Sequence, residues 1–167
     1  MIQFKKMLDW LADHQVDFVI IGGVAANLHG SARSTFDLDV CYSRERDNLD
    51  RLARALISIN ARLRNAPLGL PFKLDAETLR RGLNFTFASD LGDLDLLGEV
   101  AGVGTFEQAA PRAEIAEMAN VQYRFLSLPQ LIAAKRAAGR PKDLAALPEL
   151  EALLELQQTT HSDDDTE

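Results

Sequence analysis

Apolar residues follow first helical and then strand spacing in the opening third of the chain. Between Phe4 and Val16 they recur every three or four positions, which predicts an amphipathic helix. Phe18–Ile21 is an uninterrupted, mostly β-branched apolar run, typical of a strand buried on both faces, and Gly22-Gly23 ends it. Three further elements are predicted here: a short helix at 24–28, a strand at 37–42 and a helix at 47–63.

The rest of the sequence predicts a short helix, several short strands and then two longer helices. The Pro- and Gly-containing stretch 65–73 predicts a loop, and Asp75 is a suitable N-cap for a short helix after it. Gly139-Arg140-Pro141 has the order found where one helix ends and the next begins. The predicted elements are helices at 76–81, 128–138 and 142–156, and strands at 84–88, 93–97, 114–118 and 122–126, with 89–92 as a hairpin connection.

This mixture of helices and strands predicts an α/β (α+β) fold with a mixed β-sheet packed by helices. A chain of 167 residues with 47% hydrophobic content is long enough to bury one core. We therefore expect a single domain over 1–156, with 128–156 as a short helical C-terminal segment. Residues 157–167 are polar and acidic without apolar periodicity, so disorder is predicted there.

The charge balance argues against nonspecific nucleic-acid binding. The formal net charge is −7, and the last five residues supply four of the negative charges, which leaves 18 basic and 21 acidic side chains before them. A basic stripe that would attract phosphate backbones is absent from the sequence. There is also no apolar run of the roughly 18 residues that a membrane helix needs and no signal-peptide pattern, so a cytoplasmic location without a membrane partner is expected.

Two carboxylates two positions apart carry the first sign of chemistry. Asp37 and Asp39 lie on a predicted strand, where alternate side chains project from the same face. Two carboxylates at this spacing can share one or two hard cations. Magnesium takes oxygen ligands and leaves room for water and substrate phosphates, so a few carboxylates suffice when a nucleoside triphosphate completes the coordination. An isolated Asp-x-Asp is more often merely solvated, so its context decides.

A glycine pair and a second acidic pair supply that context. Gly22-Gly23 precedes Asp37 by fourteen residues, counted from the second glycine, and lies between a buried strand and a short helix, where a triphosphate can approach the backbone. Asp93 and Asp95 share one face of a later predicted strand. Either of them reaches the first pair if the two strands are neighbours.

Together these features resemble the polymerase-beta-like nucleotidyltransferase superfamily, whose signature is a Gly-Gly or Gly-Ser turn, a paired acidic motif and a third acidic residue. The run from Gly22 to Asp39 looks closest to the minimal bacterial and archaeal branch, which includes proteins of the abortive-infection and toxin–antitoxin type. The segment Arg140-Pro141-Lys142-Asp143, after a lysine-bearing helix, also resembles that branch. The resemblance covers roughly residues 16–147.

The resemblance implies a role for each matching position. Asp37 and Asp39 correspond to the metal-binding pair, and Gly22-Gly23 to the turn that contacts phosphate. Asp95 corresponds to the third carboxylate because an apolar pair follows it, with Asp93 as the competitor for that role.

The resemblance also implies a reaction. A nucleoside monophosphate would move from a triphosphate, expected to be ATP, to a hydroxyl by a two-metal mechanism using Mg²⁺ or Mn²⁺. Asp95 would assist deprotonation of the acceptor, and the C-terminal helical segment would help to close over the nucleotide. The candidate phosphate-binding cations are Arg33, Lys135, Arg140 and Lys142, since phosphoryl-type transfer depends on positioning and charge stabilisation.

Two other hypotheses stay open on the sequence alone. One is a catalytically silent nucleotidyltransferase-like module that binds nucleotide or a cognate toxin–antitoxin partner. The other is a structural domain whose carboxylates are surface residues. For an active enzyme, the acceptor is equally open between a protein side chain, an RNA end and a small molecule, because no extended substrate-recognition domain is evident.

Overall fold

The computed structural model describes residues 2–164, with side chains described for 4–161; Met1 and 165–167 lie outside the described residues. The helices are α1 (Ile2–Asp13), α2 (Gly22–Leu28), α3 (Arg46–Ser58), α4 (Ala76–Arg81), α5 (Phe106–Ala109), α6 (Leu128–Ala138) and α7 (Pro141–Asp164). The strands are β1 (Phe18–Ile21), β2 (Asp37–Tyr42), β3 (Arg62–Leu63), β4 (Asn84–Ser89), β5 (Gly92–Leu97), β6 (Glu99–Val100), β7 (Gly104–Thr105), β8 (Glu114–Met118) and β9 (Val121–Phe125).

Seven of these strands form one mixed sheet in the order β3-β4-β5-β2-β1-β9-β8. At its centre β2 runs parallel to β5 and antiparallel to β1, while β1 runs parallel to β9. The predicted hairpin of β4 and β5 is confirmed, with Ser89 paired to Gly92 at its turn. The mixed sheet packed by helices is therefore confirmed. Its order brings β2 and β5 side by side, although 49 residues lie between the end of β2 and the start of β5.

The core forms where the apolar periodicity predicts it. All four residues of β1 are buried, as expected for a strand covered on both faces. The buried side of α1 includes Met7, Leu8 and Leu11, and α1 packs against α3. One hydrophobic cluster extends from Phe4 to Leu150 and so joins the sheet to the C-terminal helices.

The predicted helix over 47–63 was wrong at its C-terminal end. The helix stops at Ser58, and Asn60 adopts a left-handed conformation with φ of 51°. The chain then turns back, and Leu63 pairs with Phe87 on β4. Apolar spacing continued through this turn, because Leu63 packs against the core from a strand rather than from the helix.

The two C-terminal helices begin and end at recognisable signals. A capping box of Ser127 and Gln130 starts α6, and Gly139 ends it with φ of 63°. The next helix, α7, contains Pro148 and continues to Asp164, eight residues into the segment for which disorder was predicted. Gln157 hydrogen-bonds Glu114 at 3.2 Å, which ties the first turn of this extension to β8. No helix among the described residues is long and apolar enough to cross a membrane.

Candidate active site

The central strands set four carboxylates in two facing rows. In the parallel pairing of β2 and β5, Asp37 lies opposite Asp93 and Asp39 opposite Asp95. Leu38 and the residue opposite it, Leu94, project to the other face and are fully buried. The alternation predicted for both acidic pairs is therefore present, and the strand order makes the two pairs neighbours.

Three of the four carboxylates converge. Asp37, Asp39 and Asp95 each offer an oxygen, and these oxygens lie within 4.8 Å of one another. No other group of three potential ligands is found among residues 4–161, whose side chains the structure describes. Three half-buried carboxylates at this spacing are suitable ligands for a hard divalent cation such as Mg²⁺ or Mn²⁺.

The protonation of Asp39 reflects this crowding. Burial raises the pKa of its carboxyl to about 7, and the negative charges of Asp37 and Asp95 add to the effect. Burial also raises the pKa of Asp95, although Arg64 opposes that shift. Without a cation, carboxylates this close cannot all ionise near neutral pH at low cost. A divalent cation would remove the repulsion.

Arg64 contacts both Asp93 and Asp95, which differ in exposure. Its guanidinium donates to Asp95 Oδ1 at 2.6 Å and lies 3.1 Å from Asp93 Oδ2. The Asp93 side chain is 46% exposed and that of Asp95 is 18% exposed. Arg64 thus pairs with both carboxylates, but Asp95 also converges with Asp37 and Asp39, whereas the more exposed Asp93 lies at the edge. This geometry favours Asp95 as the third carboxylate.

Sequence reasoning missed Arg64 because it follows the two-residue strand β3, which was assigned to the end of a helix. Its backbone N–H donates to the carbonyl of Thr86 at 2.9 Å, and Thr86 pairs with Asp95 across the hairpin. The position of Arg64 over β5 thus depends on strand pairing that has no local signature.

The glycine turn approaches the carboxylates closely. Ile21 pairs with Asp39, so Gly22 lies directly beside the Asp39 side chain. Gly22 has φ of 62°, and a Cβ at this position would overlap the Asp39 carboxylate. A Cβ at Gly23 would lie 2.6 Å from Thr35 Oγ1. Glycine suits both positions because the backbone at the start of α2 passes close to the Asp39 side chain and to Thr35 in the loop before β2.

A buried carboxylate holds two of the predicted cations. Asp143 is fully buried, and its oxygens lie 3.1 Å from Lys135 Nζ and 2.6 Å from Arg140 Nε. These charge-assisted hydrogen bonds lower the pKa of Asp143 to about 2 against the opposing effect of burial. Asp143 thereby fixes two basic side chains at the junction of α6 and α7.

The other two cations lie on exposed segments. Arg33 is in the loop before β2 and donates to the Ala145 carbonyl of α7 at 2.6 Å. Lys142 is exposed in the first turn of α7. The structure thus brings all four predicted cations to the walls of one cleft beside the acidic cluster.

That cleft has two lobes, which share Gly22, Asp39, Asp95, Lys135 and Arg140. The apolar lobe, about 260 Å³, is further lined by Ile21, Leu97, Val100, Ala101, Leu126, Leu131, Ala134, Ala138 and Asp143. The polar lobe, about 340 Å³, is further lined by Gly23, Ala26, Ser31, Arg33, Ser34, Thr35, Phe36, Asp37, Lys142, Ala146, Glu149 and Leu150. Asp39 and Asp95 therefore lie where the two lobes meet.

Comparison with known proteins gives no match in sequence and clear matches in structure. Neither a family model nor a curated protein matches the chain. The lincosamide antibiotic adenylyltransferase LnuA, solved with lincomycin bound, superposes with a TM-score of 0.59 at 12% identity, covering 90% of this chain and 96% of that one. The chain therefore has the same fold as this adenylyltransferase, the polymerase-beta-like nucleotidyltransferase fold.

Two structures of a second protein agree with this assignment. The antibiotic-resistance factor ANT(2'')-Ia in solution gives a TM-score of 0.53 at 18% identity, covering 98% of this chain and 93% of that one. A crystal structure of ANT(2'')-Ia with adenylyl-2''-tobramycin gives 0.53 at 16% identity, covering 95% and 96%. The resemblance stated from the sequence is thus confirmed for the nucleotidyltransferase fold, which this chain spans almost completely.

Proposed function

We propose that this protein is a nucleotidyltransferase that moves a nucleoside monophosphate from a nucleoside triphosphate to a hydroxyl. The observation that carries the proposal is the convergence of Asp37, Asp39 and Asp95 beside the Gly22-Gly23 turn. The nucleotidyltransferase fold supports it, because function depends on a site and here the site and the fold agree.

The three carboxylates would hold Mg²⁺ or Mn²⁺ in a two-metal arrangement. The cations would lower the pKa of the acceptor hydroxyl and neutralise charge on the triphosphate. Asp95 would take the proton of the acceptor hydroxyl. The acceptor oxygen then forms a bond to the α-phosphorus as the bond from that phosphorus to the β-phosphate oxygen breaks, and pyrophosphate leaves.

The basic side chains would stabilise the charge that develops on the leaving pyrophosphate. Lys135 and Arg140 are held by buried Asp143 and line both lobes, so they are already oriented when the substrate binds. Arg33 and Lys142 line only the polar lobe. We therefore assign the triphosphate to the polar lobe and the acceptor to the apolar lobe.

A small molecule is the acceptor class that we favour over a protein or an RNA end. The apolar lobe, about 260 Å³, is slightly smaller than the roughly 300–1,000 Å³ of typical ligand pockets, a volume that suits a compact small molecule. The structural neighbours were solved with lincomycin and with an adenylylated tobramycin. The adenylyl group in those names also makes ATP the first donor to test. We propose a cytoplasmic location, where ATP is abundant.

Label transfer tests the proposal. The protein is incubated with each α-³²P-labelled nucleoside triphosphate, Mg²⁺ or Mn²⁺, and an acceptor set of hydroxyl-bearing small molecules, RNA and cell lysate. The Asp37→Asn/Asp39→Asn variant is the test, and Asp13→Asn, an exposed carboxylate at the end of α1, is the matched control. Transfer by wild type and control but not by the double variant is expected. Silence with every nucleotide, metal and acceptor would refute transfer and leave a nucleotide-binding module.

A further inference from the structure

One polar atom of the cleft lacks a partner. In the part of the chain that the structure describes, Oε1 of Glu149 is the buried side-chain oxygen that no hydrogen bond satisfies. Roughly 90% or more of buried polar groups in proteins are paired, so such an atom needs an explanation. Glu149 itself is half-buried, and an unpaired buried oxygen on such a side chain points to a ligand that supplies the donor.

Glu149 is on the helix face that forms the cleft. Four residues of α7 line the polar lobe, at successive spacings of four, three and one along the helix: Lys142, Ala146, Glu149 and Leu150. The terminal torsion of a glutamate has a broad energy profile, so a small rotation turns a carboxylate oxygen toward the lobe.

The polar lobe has the features of a nucleotide site rather than of an acceptor site. Arg33 and Lys142 line this lobe and not the apolar one. The Phe36 ring, also at this lobe, is 83% exposed, and an exposed aromatic face is a surface on which a nucleobase stacks. With the phosphates at the glycine turn and the cations, the nucleoside half has to occupy the remaining part of the lobe, which includes Glu149.

We propose that Glu149 selects the nucleotide by accepting a hydrogen bond from the nucleoside half of the bound triphosphate. The donor is a ribose hydroxyl or a base N–H, the two donor types that a nucleoside offers to a carboxylate. This inference rests on the proposed nucleotide donor, and it adds a specificity-determining residue on α7 that takes no part in the transfer itself.

The test measures nucleotide binding without acceptor, so that it does not depend on transfer. Calorimetric titrations with Mg²⁺ compare ATP with 2'-deoxy-ATP, 3'-deoxy-ATP and the purine ribonucleoside triphosphate that lacks the 6-amino group. The proteins are wild type, Glu149→Leu, Glu149→Gln and the matched control Glu155→Gln, an exposed glutamate farther along the same helix. The deoxy analogues report a ribose hydroxyl, and the analogue without the amino group reports the base.

We expect wild type to bind at least one analogue about 10- to 100-fold more weakly than ATP. Glu149→Leu should bind ATP more weakly by a similar factor and should bind that analogue no worse than ATP, since the lost donor and the lost acceptor belong to one hydrogen bond. Its melting temperature should equal or exceed that of wild type, because an unpaired buried oxygen is removed. Glu149→Gln keeps an acceptor oxygen and should retain part of the preference.

Three results would overturn the inference. If Glu149→Leu keeps the affinity and the ranking of wild type, the residue does not contact the nucleotide, while the proposed transferase stands. If it loses affinity for all nucleotides by one factor together with thermal stability, its role is structural. If wild type binds no nucleotide, the inference falls with the proposed function. A different outcome, in which nucleotide binding depends on Glu149 but label transfer fails, would refute only the proposed transfer.

Discussion

Asp39→Asn should stabilise the cation-free protein at neutral and alkaline pH although it destroys the proposed site. Burial raises the pKa of the Asp39 carboxyl from 3.8 to about 7 in the folded protein, and the negative charges of Asp37 and Asp95 add to this shift. A shift of about three units corresponds to roughly 4 kcal/mol at 1.36 kcal/mol per unit, which is an upper limit because Asp95 shares in the titration. Asparagine carries no charge there and avoids this cost.

The sign of the pH dependence follows from proton linkage. The unfolded chain releases the Asp39 proton near pH 4, whereas the folded chain keeps it until about pH 7. Between these values the folded state binds more protons, so the free energy of unfolding of wild type falls as the pH rises, and the loss is complete above pH 7. The advantage of Asp39→Asn should therefore be small near pH 4, grow across this window and stay constant above it.

Urea denaturation in EDTA at pH 4.5, 5.5, 6.5 and 8 measures this effect, with Asp13→Asn as the control for a lost surface charge. Added Mg²⁺ should stabilise wild type more than Asp39→Asn, since a ligand that binds the folded state stabilises it by mass action. The reasoning would be refuted by a stability difference that does not change between pH 4.5 and 8, or by a variant less stable than wild type at pH 8.

Three further predictions concern the support of the site. Gly22→Ala should destabilise the protein by about 1–3 kcal/mol more than Gly69→Ala in urea denaturation, because both have positive φ but only a Cβ at Gly22 meets a carboxylate. Asp143→Ala should cost about 1.5–3 kcal/mol in the same measurement, since it removes the charge-assisted hydrogen bonds from Lys135 and Arg140; an effect below 1 kcal/mol would contradict this. Arg64→Gln should move the acidic limb of the pH–rate profile to higher pH, because Arg64 lowers the pKa of Asp95; an unchanged profile would contradict that coupling.

Local patterns in the sequence were enough for the elements that carry the site. The alternation of residues on β2 and β5 placed Asp37 with Asp39, and Asp93 with Asp95, on shared faces, since side-chain direction along a strand depends only on the strand itself. The apolar run of β1 and the glycines after it predicted the turn that the structure places beside Asp39. The glycine and proline between the last two helices predicted their boundary equally well.

Tertiary structure decided what depends on partners distant in the chain. The parallel pairing of β2 with β5 brought the two acidic pairs together, and convergence and burial then distinguished Asp95 from Asp93. The same kind of contact ended α3 early, because Leu63 gains a strand partner, and tied the predicted disordered segment to β8 through Gln157. Side-chain periodicity is a property of one segment, whereas pairing, burial and charge neutralisation are properties of two segments in contact, so the sequence pattern of either one does not contain them.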